Sequence, residues 1–316
     1  MRWSSCILLA ASLAALGILA VSCASGPKKA ERLDTRARMD ADYERRLAAW
    51  PVPYEAKFVS TRFGPTHVIF SGPEEAPLLI LLHAMGTNAL TWAPNAAELS
   101  RDYRIAAVDT IGDQGRSIAR RDYPENGKEY ADWVADIVAS LGAEKACVAG
   151  CSMGGWIAVC AAFHRPRSVD KLVLVSPAAG IPGKTTWGPM LVSIILNPSE
   201  RNLRKFGSRL LGAGRAGQDW LDYFLLAATD SKSGKLGMPS NLKDAELSQI
   251  SAPVLLLIGD AETIYADPAE LGARAMRTIP DCEFLNVPGA GHLGHYDNPE
   301  FVDRAMLSSL GRGPRP

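Results

Sequence analysis

Ser152 stands in the run Gly150-Cys151-Ser152-Met153-Gly154-Gly155, with a glycine two residues away on either side. A serine hydroxyl becomes a useful nucleophile only when a base takes its proton and a third group orients that base. Five histidines could supply the base: His67, His83, His164, His292 and His295. His292 follows Gly289-Ala290-Gly291, small residues that let its loop fold back over a sheet edge. His295 is its rival three residues on. His164 ends a helical stretch and reads as a C-terminal cap, while His83 reads as a side chain that fixes a loop. The orienting group should be a carboxylate. Lys171–Ser199 contains neither Asp nor Glu, so the acid cannot come from there. The next apolar run, Val254–Ile258, ends in Gly259-Asp260-Ala261-Glu262, and either Asp260 or Glu262 could serve.

These residues need elements to hold them. Leu78–Leu82, Arg104–Asp109, Ala146–Gly150, Leu172–Val175 and Val254–Ile258 are short runs dominated by apolar residues, as strands buried on both faces require. Glu283–Val287 reads as a further strand, and Lys57–Thr61 with Thr66–Phe70 as a pair around Phe63-Gly64-Pro65. Helical patterns at Ala89–Leu99, Glu129–Leu141, Met153–His164, Pro268–Thr278 and Pro299–Leu310 alternate with them. Strand–helix alternation implies an α/β fold with a mostly parallel sheet covered on both faces. Ser152 then falls on a tight turn between a strand and a helix, where the helix N-terminus favours developing negative charge. From Gly180 to Ser251 no strand pattern appears. Trp187–Leu196, Ser199–Leu211 and Gln218–Ala228 read as helices, with Trp220, Tyr223 and Phe224 on an aromatic face, and the interval as a helical cap. An oxyanion would be held by the amides of Met153 and of Met85, in the loop His83-Ala84-Met85-Gly86-Thr87-Asn88.

Together these residues resemble the α/β-hydrolase superfamily over about Lys57 to Leu310. Within it they are similar to bacterial carboxylesterases of the Bacillus carboxylesterase NP type, which cleave esters of arylpropionic acids. Val108-Asp109-Thr110-Ile111-Gly112-Asp113, Gly259-Asp260-Ala261-Glu262-Thr263-Ile264-Tyr265 and Ala290-Gly291-His292 carry the closer likeness. The resemblance implies a serine carboxylic-ester hydrolase with the triad Ser152, Glu262 and His292, no metal and no cofactor. It favours Glu262 over Asp260, because the resembling esterases carry Glu at that position. It departs from the superfamily at His83-Ala84, where a His-Gly pair is common and Ala narrows the backbone's choices. Acyl transfer, a cofactor-free haloperoxidase activity and a non-catalytic surface receptor are the alternatives on the same framework. The cap would line an apolar pocket for a small or medium ester, with Trp156 and Trp187 as wall residues or, for Trp156, core.

Composition agrees with a globular body. The 316 residues are 47% hydrophobic, enough for a core, and 34 basic against 34 acidic side chains leave no basic field for nucleic acid. Ile7–Val21 is a fifteen-residue stretch, apolar apart from Ser12 and Gly17. That suits a signal-peptide core and falls short of the ~20 residues of a membrane span. Ala20-Val21-Ser22-Cys23 resembles a lipoprotein signal, with Cys23 lipidated and residues 1–22 removed. Plain secretion after Ala24 and an uncleaved anchor are the other readings, and all three export the body. Residues 23–50 read as a charged, solvated tether entering an exposed amphipathic helix. The remainder divides into a core of 51–180 with 252–312 and a cap of 181–251. Cys147, Cys151, Cys160 and Cys282 show no zinc-ligand spacing.

Overall fold

The computed structural model describes residues 29–120, 123–186, 188, 199–212, 217–229 and 236–311. The leader, Cys23 and most of the Trp187–Leu196 stretch lie outside the described residues. Eight strands form one sheet: β1 (Glu55–Thr61), β2 (Gly64–Ser71), β3 (Leu78–Leu82), β4 (Arg104–Val108), β5 (Ala146–Cys151), β6 (Val169–Val175), β7 (Val254–Gly259) and β8 (Cys282–Val287). Their order is β1-β2-β4-β3-β5-β6-β7-β8. β1 and β2 pair antiparallel with each other, and β2 with β4, while all later pairs are parallel. The chain leaves β3 for β4 on one side and reaches β5 on the other. Ligand sites of open α/β sheets form at the carboxyl ends of strands around such a reversal.

The apolar runs are continuous because each strand feeds two cores. Ile80, Leu82, Leu256 and Ile258 face one layer, and Leu79, Leu81, Leu255 and Leu257 the other. The first layer is closed by α3 (Gly127–Ser140), α4 (Met153–His164) and α8 (Pro268–Thr278), through Trp133, Trp156 and Leu271. The second is closed by α1 (Lys29–Ala48), α2 (Ala93–Leu99) and α10 (Pro299–Leu310), through Met39, Leu99 and Met306. Between β6 and β7 lie α5 (Glu200–Arg209), α6 (Gln218–Thr229) and the single turn α7 (Asp244–Leu247). A second single turn, α9 (Gly294–Asp297), follows the His292 loop. Ala89–Leu99 is divided into a 3-10 turn, Ala89–Trp92, and α2, with Pro94 in the first turn of the α-helix. No helix among the described residues is long and apolar enough to cross a membrane.

The solvated-tether expectation fails from Met39 onward. Met39, Tyr43 and Leu47 are buried along one stripe of an otherwise charged helix, and Trp50, just past its end, is buried with them. Trp50 donates its ring N–H to Ser71 Oγ at 3.0 Å. The Tyr43 hydroxyl donates to Asp109 Oδ2 at 2.9 Å, beside His67 Nδ1 at 3.0 Å from the same oxygen. Arg45 and Arg46 both pair with Asp219 of α6, and Arg46 lies 5.0 Å above the Tyr223 ring. The first helix thus joins the core to the β6–β7 insertion.

Asp303 on α10 is buried, and Asn95 Nδ2 donates to its Oδ1 at 2.8 Å. Burial pushes its carboxyl up to about 7 despite that hydrogen bond, and Glu98 adds to the rise. An acid with a raised folded pKa binds its proton more tightly when native. Its ionisation therefore penalises folding as pH climbs above the unfolded value, about 4, until the penalty is complete above about 7. Asp303→Asn is expected to melt higher than the parent at pH 8, with the gap closing as pH falls towards 4. Thermal melts across that range check it, and a gap independent of pH would refute the assignment.

Candidate active site

β5 runs into the turn at Ser152, whose φ of 51° is rare for a residue with a side chain. The turn survives because the backbone is held on both sides: Ser152 N–H donates to Val175 O at 3.0 Å, and Ser152 O accepts from Trp156 and Ala178. The flanking glycines answer to contact. A Cβ on Gly150 would lie 2.2 Å from Gly154 O, and one on Gly154 2.3 Å from Leu82 O. The turn lifts the Ser152 hydroxyl to the carboxyl edge of the sheet, partly exposed.

His292 Nε2 lies 2.8 Å from Ser152 Oγ, and His292 Nδ1 lies 2.8 Å from Glu262 Oε2. The other carboxylate oxygen of Glu262 accepts from Ile264 N–H at 2.7 Å. Both side chains are almost fully buried. Burial would raise the Glu262 carboxyl. The charge and hydrogen bond of His292, the Ile264 amide and the Ser176 hydroxyl together hold it below its usual range. Asp260 does something else: its Oδ1 accepts from Gly289 N–H at 2.8 Å, on the exposed side of the loop that leads to His292.

The other histidines are occupied or isolated. His83 is fully buried; its Nε2 accepts from Thr110 N–H at 2.8 Å, so Nδ1 carries the hydrogen and donates to Ala84 O at 2.8 Å. His67 is tied up with Asp109 and Tyr43. His295 is buried against Trp92, ring centroids 4.1 Å apart, with no hydrogen-bond partner at either nitrogen. Burial, then the neighbouring His292 and His83, push its pKa down to about 3. His164 is the last residue of α4, and its carbonyl accepts from Arg165. Trp156 is core: its ring N–H donates to Ser240 O at 3.0 Å and the ring packs on Tyr130. The four cysteines of the body are free thiols.

Met153 opens α4, so its amide belongs to the first-turn N–H groups that lack an intrahelical acceptor. Met85 lies between Ala84 and Gly86. Gly86, at φ 74°, takes the left-handed backbone of that loop, and Ala84 does not need it. Three residues assigned no site role from the sequence brace the site. Asp113 accepts the Gly86 amide with both oxygens at 3.1 Å. The Tyr223 hydroxyl donates to Gly86 O at 3.4 Å. Asp297, buried behind His292, accepts from Gly291 N–H at 2.7 Å and from Gly212 N–H at 2.6 Å. Asp113 lay in a stretch that carried the resemblance and Tyr223 on the aromatic face, whereas nothing in the local sequence marks Asp297.

The fold, the strand–turn–helix at Ser152 and the order of the strand ends are those of a hydrolase of the α/β type. The model of the Alpha/beta hydrolase family matches residues 79–305, and the chain belongs to that family. Carboxylesterase YbfK of Bacillus subtilis is 34% identical over 295 residues, spanning 86% of this chain and 93% of the relative. The crystal structure of that carboxylesterase, also called CesB, superposes with a TM-score of 0.82 at 33% identity, covering 89% of this chain and all of the other. The structure of naproxen esterase (carboxylesterase NP) of Bacillus subtilis gives 0.80 at 31% identity over 88% of this chain and 98% of that one. The chain is thus an alpha/beta hydrolase enzyme, similar over most of its length to carboxylesterases of Bacillus subtilis.

Proposed function

We propose that the chain is a serine carboxylic-ester hydrolase that works through Ser152, His292 and Glu262 and a covalent acyl-enzyme. The observation that carries this reading is the unbroken relay from Ser152 Oγ through both ring nitrogens of His292 to Glu262, at 2.8 Å in each step. Ser152 Oγ attacks the ester carbonyl carbon while its proton passes to His292 Nε2. The amides of Met85 and Met153 hold the oxyanion. Collapse of the tetrahedral species expels the alcohol, which takes the proton from His292. Water then attacks the acyl carbon, again giving its proton to His292, which passes it to Ser152 Oγ as the bond from that oxygen to the acyl carbon breaks and the carboxylic acid leaves. Glu262 fixes the Nδ1–H tautomer and offsets the imidazolium charge in both halves.

The substrate is a small or medium apolar ester bound under the β6–β7 insertion. A panel of p-nitrophenyl esters of rising acyl length tests this: a maximum at short or medium chains is expected, and a maximum at long chains would replace the esterase reading with a lipase one. The chain is exported and held at a membrane by lipid on Cys23, which rests on the Ala20-Val21-Ser22-Cys23 run behind a fifteen-residue stretch rich in apolar residues. Labelled palmitate is expected in the protein made in a bacterial host and absent from Cys23→Ser. Equal labelling of both would leave secretion or an uncleaved anchor.

A further inference from the structure

Among the described residues, two that are not glycine have positive φ, Ser152 at 51° and Ser176 at 42°. They follow neighbouring strands, β5 and β6, whose last residues Cys151 and Val175 are paired. Glycine would take this backbone without strain, so a serine at such a place directs attention to its hydroxyl. Ser176 is fully buried, and its amide is fixed to Leu257 O at 2.9 Å. Its Oγ makes no hydrogen bond of ordinary length and angle, which is costly for a buried hydroxyl. The neighbour it does have is Glu262, whose carboxyl it helps to hold down. That carboxylate accepts from Ile264 on one oxygen and faces His292 with the other, which leaves lone pairs unfilled.

We propose that Ser176 is a positioning residue that acts through Glu262, its hydroxyl donating to the carboxylate and holding it turned towards His292. The inference rests on the triad reading above. Ser176 directly follows β6, and its amide bond to Leu257 O fixes the backbone from which the hydroxyl extends. Without the hydroxyl, the carboxylate has one fewer fixed donor. It then swings more freely, and the Glu262–His292 pair holds a proton more tightly, because a donor to the anion favours the unprotonated pair.

The test uses full-length parent, Ser176→Ala, Ser176→Gly and Ser152→Ala on one p-nitrophenyl ester. Both Ser176 variants are expected to lose about tenfold in kcat with KM unchanged, the size expected for a lost support to a catalytic group. The acid limb of their kcat/KM profile should move to higher pH, since a proton on the pair blocks the base. In Glu262→Gln, removing Ser176 as well should cost nothing more. Ser176→Gly relieves the backbone, so it reports on the hydroxyl even if the alanine variant folds poorly; a purely structural serine would leave the glycine variant as active as the parent. Parent-like kcat, or an unmoved acid limb, in Ser176→Gly overturns the proposal while Ser152→Ala stays inactive. Activity surviving in Ser152→Ala overturns the triad and this inference with it.

Discussion

Ser152→Ala is expected to lower ester turnover by roughly 10⁴- to 10⁶-fold while the protein stays folded. The loss is large because, among the described residues, no other hydroxyl or thiol hydrogen-bonds to His292 Nε2, and Cys151, one residue away, is sealed in the core with its Sγ turned to His292 O. What remains is binding and oxyanion stabilisation without an acyl-enzyme. Folding should be nearly unaffected, since the Ser152 side chain makes no capping bond to α4 and alanine meets the same backbone angles as serine. The checks are turnover of a p-nitrophenyl ester and a thermal melt of the same preparation. A variant that keeps more than about a tenth of parental activity would place the chemistry elsewhere, because loss of a triad member normally costs far more.

The second large effect belongs to Glu262. Glu262→Gln keeps the shape but not the charge, and the geometry leaves the amide no good orientation. If its NH₂ faces His292, the ring must take the opposite tautomer and present N–H to Ser152, which disables the base. If its carbonyl faces His292 instead, the NH₂ meets the Ile264 amide, donor against donor. Turnover should fall by roughly 10²- to 10⁴-fold. Glu262→Asp withdraws the carboxylate by about 1.5 Å, one C–C bond, and should be impaired less, because a water can bridge the gap. Asp260→Asn should change turnover only a few-fold, because an asparagine oxygen can still accept the Gly289 amide that Asp260 Oδ1 accepts now. Steady-state kinetics of the three variants decide the matter. A larger loss in Asp260→Asn than in Glu262→Gln would reverse the two roles.

The sheet is legible in the sequence because its central strands are buried on both faces and read as unbroken apolar runs. The turn at Ser152 is legible because its glycines answer to hard contacts, and such contacts dictate residue type. Choosing between Asp260 and Glu262 needed the family likeness, since two acids two residues apart at one strand end look alike to local rules. The packed face of α1 is hidden by charge: Met39 and Tyr43 lie among ten charged residues between Glu31 and Arg46, and Leu47 directly follows them. Asp297 and Ser176 are invisible for a different reason. Gly212, which Asp297 binds, and Glu262, beside Ser176, come from distant segments that only the folded chain brings near, although Gly291 lies just six residues before Asp297.

One carboxylate also limits how this enzyme can be rebuilt. Asp297 Oδ2 receives the amide of Gly291, next to His292, and that of Gly212, inside the β6–β7 insertion. Leu293 N–H reaches Leu210 O at 3.1 Å across the same seam. The segment that would select the substrate and the loop that would move the proton are therefore stitched to each other as well as to the sheet. A chimaera that imports another insertion to change substrate preference has to retain Leu210–Gly212 in register, or it will detach the histidine loop along with the old pocket. Directed recombination should place its crossovers on the far sides of that stitch.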